Sequence, residues 1–110
     1  MTLALVFFGI AAAGGLTLAA LRLSNKPLPT PLALLHGALA ATGLILLVAV
    51  IGSGEGGGAL TALILFVIAA LGGFVLFSFH LRKEPLPIGV MAVHGLVAVI
   101  AFIILLIAVI

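Results

Sequence analysis

The sequence predicts an all-α membrane protein whose four transmembrane helices form two tandem hairpins of parallel sense. Three observations predict it. First, 66% of the 110 residues are hydrophobic and 5% are charged, with a mean hydropathy of +1.67. A soluble domain carries about 25% charged residues, and no water-exposed fold of this length could hide so much apolar surface. Second, four apolar stretches, Thr2–Leu23, Leu32–Ile51, Ala59–His80 and Ile88–Ile110, each reach the roughly 20 residues needed to cross a ~30 Å hydrocarbon core. Third, from Ala4 onward the chain can be laid on itself 58 positions later without a gap.

The repeat rests on its scarce residues, since apolar matches are cheap in such a composition. Ala11-Ala12 falls on Ala69-Ala70, Gly14-Gly15 on Gly72-Gly73, Pro27-Leu28-Pro29 on Pro85-Leu86-Pro87, and His36-Gly37 on His94-Gly95. Residues 1–52 are thus one two-helix unit, 53–58 a Gly-rich linker, and 59–110 the second unit.

The first stretch has neither the basic n-region nor the short h-region of a signal peptide. It pairs in the repeat with Ala62–Leu81, so it reads as a mature helix. Helices are expected throughout, because lipid offers backbone groups no partner and the runs do not alternate as barrel strands do. In the first connection, Thr30 is expected to cap the second helix and Pro31 to sit in its first turn. The connection Gly52–Gly58 has the composition of a flexible linker. Pro85 and Pro87 stop the third helix and set a tight entry to the fourth. Ala11 and Gly15, like Ala69 and Gly73, form small-xxx-small faces that let helices approach closely or leave room for a flat ligand.

Arg22, Lys26, Arg82 and Lys83 all fall in the two Pro-containing connections, whereas the Gly-rich one carries only Glu55. The positive-inside rule places the Pro loops in the cytoplasm and both termini outside, as in a multi-pass protein of a bacterial-type inner membrane. Both units enter the membrane the same way round, so the pseudo-twofold axis follows the membrane normal.

Within this frame His36 lies about five residues inside its stretch, roughly 8 Å past the start at 1.5 Å per residue. His94 occupies the same depth of the last stretch, and Gly15 and Gly73 are level with the pair. An ionisable side chain inside a membrane helix points to function. Two facing imidazoles can ligate a haem iron from both sides, and His36 and His94 are the candidate metal ligands. Gly37, Gly95, Gly15 and Gly73 would leave space for the porphyrin, while Arg22 and Arg82 could meet its propionates. His80 stands at the repeat position of Arg22. The competing reading is an interhelical hydrogen bond from each histidine, worth about 0.6 kcal/mol in membranes. A chlorophyll-type pigment, needing one histidine, is a further possibility.

Four helices with paired intramembrane histidines make the chain resemble the four-helix membrane b-type cytochromes. The resemblance implies one haem b between the second and fourth helices and electron transfer to a quinone or a membrane redox partner. Many of those proteins carry two haems on four histidines; here two histidines suffice for one. The alternative function is a non-catalytic accessory or scaffold subunit, held in a larger membrane complex or homo-oligomer and surrounded by lipid. No Trp or Tyr forms an interfacial belt, which suits a protein enclosed by other subunits.

Much else is excluded. The chain has no Asp, and its two Glu lie in loops, so no membrane-embedded acid is available for proton coupling or general-base catalysis. Length and helix count match the small multidrug resistance transporters, but the membrane glutamate of their first helix is missing. Without cysteine there is no disulfide, thiolate site or covalent c-type haem. Four dispersed cations set topology and do not form a nucleic-acid surface. The reading favours an electron carrier or accessory subunit over an enzyme.

Overall fold

The computed structural model describes all residues 1–110 and contains four α-helices: α1 (Thr2–Leu23), α2 (Thr30–Gly52), α3 (Ala59–Leu81) and α4 (Ile88–Val109). Each is 22 or 23 residues long, about 33–35 Å at 1.5 Å per residue. The most apolar windows have mean hydropathies of 2.1, 2.4, 2.7 and 2.9. The protein is therefore a four-helix membrane bundle. Its long dimension of 43 Å equals a bilayer of about 40–45 Å with headgroups.

α1 packs chiefly on α2 and α3 on α4, so the hairpins are the units and their α2–α3 and α1–α4 seams are looser. The two hairpins run the same way, with both Pro loops at one end and the Gly loop at the other. Across each diagonal, repeat-related side chains meet. The rings of Phe8 and Phe66 stack at 3.7 Å and 2°, and those of His36 and His94 lie 6.2 Å apart. A residue that touches its own repeat partner must sit on the pseudo-axis, so these two pairs mark that axis.

The core follows the repeat and occupies one half of the bundle. Ala4 and Ala62, Phe8 and Phe66, and Leu47 and Leu105 are all buried, and Gly43 is matched by Ala101. These side chains fill the axis toward the Gly-loop end. Toward the Pro-loop end, no residue of α2 before Gly43 and none of α4 before Ala101 is buried. Two hydroxyls in the apolar belt are satisfied by their own helices. Thr17 donates to the carbonyl of Ala13 at 2.9 Å and Thr42 to that of Ala38 at 2.8 Å. Lipid would leave them no other partner.

The ends depart from expectation in one place. Thr30 does not cap α2. It is the first helical residue, and Pro29, extended at φ −65° and ψ 126°, stands before it. Pro87 precedes α4 in the same way. A proline at that boundary already has the φ the entry needs, and Pro31 does lie in the first turn. The Gly linker is a defined reversal. Gly54, Gly56 and Gly58 all have positive φ, and hydrogen bonds run from Glu55 N to Val50 O and from Ala59 N to Gly56 O.

Candidate functional site

The histidines of α2 and α4 are positioned by the backbone of the preceding helix. His36 Nδ1 lies 2.7 Å from the carbonyl oxygen of Ala11, and His94 Nδ1 lies 2.6 Å from that of Ala69. A carbonyl only accepts, so Nδ1 carries the proton and donates. A helix carbonyl keeps a second lone pair for such a bond after its own ladder bond. These are the only hydrogen bonds of the two imidazoles. In the neutral ring, Nε2 therefore retains a free lone pair.

The glycine pairs explain how an imidazole reaches a helix carbonyl at all. In an α-helix the Cβ of a residue tilts toward the N-terminus, over the preceding turn. A side chain at position 15 would cover the carbonyl of Ala11. A Cβ on Gly15 would stand 2.9 Å from His36 Cε1, and one on Gly73 3.2 Å from His94 Cε1. The room at these glycines is taken by the imidazole edges. Gly14 and Gly72 are less demanding, with the nearest histidine Cβ at 3.7 and 3.5 Å.

The ring planes cross at 81°, and both histidines line one cavity of about 520 Å³ between α2 and α3. Its wall is small and apolar, with Gly15, Gly37, Ala40 and Gly73 among its residues, and Phe74 and Phe77 flank it. The volume falls within the 300–1,000 Å³ of ordinary small-molecule sites.

Of the expected site residues, the cavity gathers His36, His94, Gly15, Gly73 and Gly37. Gly95 faces open space, with nothing within 4 Å of an added Cβ, and is not part of the wall. Arg82 turns away from the cavity. It bonds the Ser78 carbonyl at 3.2 Å, pairs with Glu84 at 3.8 Å and lies 4.5 Å over the Phe79 ring. Arg22 reaches across to the other hairpin, where its Nε donates to the carbonyl of Leu86 at 2.9 Å, and Leu86 belongs to the cavity wall.

Two features are not evident in the sequence. His80 lines the cavity near its Pro-loop mouth, and its Nε2 is 2.9 Å from Thr30 Oγ1 on the other hairpin. Its registration with Arg22 was the available signal, because both positions reach across to the opposite hairpin. The other feature is the pair of carbonyl acceptors, Ala11 and Ala69. The four-residue spacing from alanine to glycine announces them once glycine is read as exposing the carbonyl one turn earlier. No protein-family model, curated protein or solved structure matches this chain.

Proposed function

We propose that the protein is a small membrane b-type cytochrome that holds one haem between α2 and α4, with His36 and His94 as axial ligands, and serves electron transfer. The observation that carries this reading is the pair of free Nε2 atoms, each on a ring whose Nδ1 is fixed by a main-chain carbonyl. Metal-ligating histidines are oriented by just such a bond from the other ring nitrogen. The two ring centroids lie 6.2 Å apart, so both imidazoles would be available to hold one group.

The chain's own residues would hold the rings, exclude water and limit access. Ala11 and Ala69 fix the tautomer. Gly15 and Gly73 seat the imidazole edges, and Gly37 and Ala40 leave the α2 side of the cavity thin. The bound iron would supply a one-electron couple, tuned by bis-imidazole ligation and the low polarity of the site. The crossing of the ring planes at 81° gives a specific signature. The ferric protein, purified in detergent and loaded with hemin, is expected to be low-spin. Its EPR signal should have the strongly anisotropic form of perpendicular imidazoles. A high-spin ferric spectrum would exclude the bis-histidine arrangement.

A second reading is favoured by the same bonds. Each histidine already joins two helices and fills a glycine notch, which is sufficient for a packing role in an accessory subunit of a larger complex. That reading predicts a colourless protein that co-purifies with a defined membrane partner. Native mass spectrometry after gentle extraction tests it, and a free monomer throughout would contradict it.

The membrane side is also a proposal. The four cations at the Pro-loop end support a cytoplasmic position for that end and an outer position for the Gly loop and both termini, in a bacterial-type inner membrane.

A further inference from the structure

We propose that the outer groove between α3 and α4 is a lipid site, which holds one acyl chain of an anionic phospholipid from the leaflet at the Pro-loop end. The site is independent of the haem reading and shares only His94 with the histidine cavity. Its floor is Ala69 and Gly72 of α3, its wall is Gly89, Val90, Val93 and Val97 of α4, and its volume is about 270 Å³. The repeat shows what opens it on this hairpin. On the first hairpin the floor is the same, Ala11 and Gly14, but the wall positions carry Pro31, Leu32, Leu35 and Leu39. The second hairpin has valine for each leucine and glycine for the proline, and every exchange removes side-chain volume from the wall. Gly89 is not needed for packing inside the protein, since nothing lies within 4 Å of an added Cβ. Its missing side chain widens the groove toward the surroundings, to which Val93 is also exposed.

Position and charge identify the occupant. Gly89 is the second residue of α4, at the Pro-loop end, and Val97 stands about 12 Å further along the axis. Half of a ~30 Å hydrocarbon core is about 15 Å. The groove therefore runs from the interface to near the bilayer centre, which is the course of one acyl chain in one leaflet. A partner helix crossing the bilayer would need a seat through both leaflets. Apart from His94, only apolar side chains and glycine line the groove, so it takes hydrocarbon and leaves a polar head at the surface. That surface is basic. Arg22, Lys26, Arg82 and Lys83 stand at this end against one carboxylate, Glu84, which is paired with Arg82. Lys83 is exposed and has no ion pair, in the connection that leads from α3 to Gly89. Its repeat partner is the neutral Asn25. A headgroup of net negative charge would meet Lys83 outside the hydrocarbon, where one basic residue near the membrane surface is worth about fivefold in affinity for anionic lipid.

Native mass spectrometry of the detergent-purified full-length protein tests the site, with palmitoyl-oleoyl phosphatidylglycerol or phosphatidylcholine titrated in and the affinity of each successive lipid read out. The first phosphatidylglycerol should bind about fivefold more tightly than the first phosphatidylcholine, and more tightly than the second phosphatidylglycerol. Val90→Leu, Val93→Leu and Val97→Leu together give the second hairpin the side chains of the first and should remove the distinct first site. Gly89→Leu, whose Cβ meets no protein atom, should weaken the first site with helicity unchanged, so the result does not depend on the folding of the triple variant. Lys83→Gly should erase the difference between the headgroups and leave phosphatidylcholine binding as it was. The absence of a distinct first lipid in the unaltered protein, equal affinity for the two headgroups, or a first site that survives both groove variants would overturn the proposal. A dimer that the groove variants dissociate would overturn it in favour of a second copy of the chain.

Discussion

At the scale of single residues, the site depends on missing atoms. Gly15 and Gly73 matter because their absent Cβ exposes the carbonyls of Ala11 and Ala69 to the imidazoles. Gly14 and Gly72 face only ordinary contact distances. The paired glycines should therefore behave oppositely. Gly15→Ala places a methyl 2.9 Å from His36 Cε1 and should destabilise the protein by about 1–3 kcal/mol, the usual cost of overpacking. Gly14→Ala meets its nearest neighbour at 3.7 Å and should be neutral or stabilising by up to about 1 kcal/mol, the helix-propensity gain of alanine. Unfolding midpoints in mixed micelles would check this, and equal losses at the two positions would contradict the notch. The sequence made the histidines and glycines visible as a group at one depth. It did not show that the ring fills the glycine space, because four-residue spacing of small residues serves ordinary helix packing equally well.

At the scale of elements, helix ends were legible to within two residues because prolines and glycines punctuate them. The first stretch, Thr2–Leu23, agrees at both ends, and α2 starts at Thr30 where Leu32 was expected. The capping detail was not legible. A threonine before an apolar run signals a cap, but two prolines around Thr30 had already fixed the entry and left its hydroxyl for His80. The other ends of the hairpin loops carry a strain the repeat preserved. Asn25 and Lys83 stand at equivalent positions, both with φ of 56°. The next residue's N–H bonds the carbonyl five residues back, Lys26 to Leu21 and Glu84 to Phe79. This is the Schellman turn that glycine usually completes. Asparagine enters the left-handed region at less cost than lysine. Lys83→Gly should thus stabilise the protein by about 0.5–1 kcal/mol, and Asn25→Gly should change little. Denaturation midpoints compare the two, and a loss at Lys83 would contradict the assignment of strain.

At the scale of the whole molecule, the repeat divides the bundle into a packed half and an open half. Phe8 and Phe66 meet on the axis near the Gly loop, and the cavity opens beside the histidines toward the Pro loops. Parallel hairpins were legible because the repeat and helix count fix them. The offset of the cavity toward the α2–α3 seam was not, since it depends on which helices pack more loosely. Orientation can be tested directly, because the chain contains no cysteine. Ser53→Cys in the Gly loop should react with a membrane-impermeant maleimide on intact cells, and Ser24→Cys beside the Pro loop only after permeabilisation. The opposite pattern would invert the topology. The central claim is that His36 and His94 jointly hold one macrocycle through their free Nε2 atoms. Hemin titration of the purified protein measures it most directly, with His36→Ala and His94→Ala alongside. The account predicts saturation at about one haem per chain with a low-spin Soret band, lost in each variant. An unchanged low-spin spectrum in either variant, or no uptake by the unaltered protein, would contradict it.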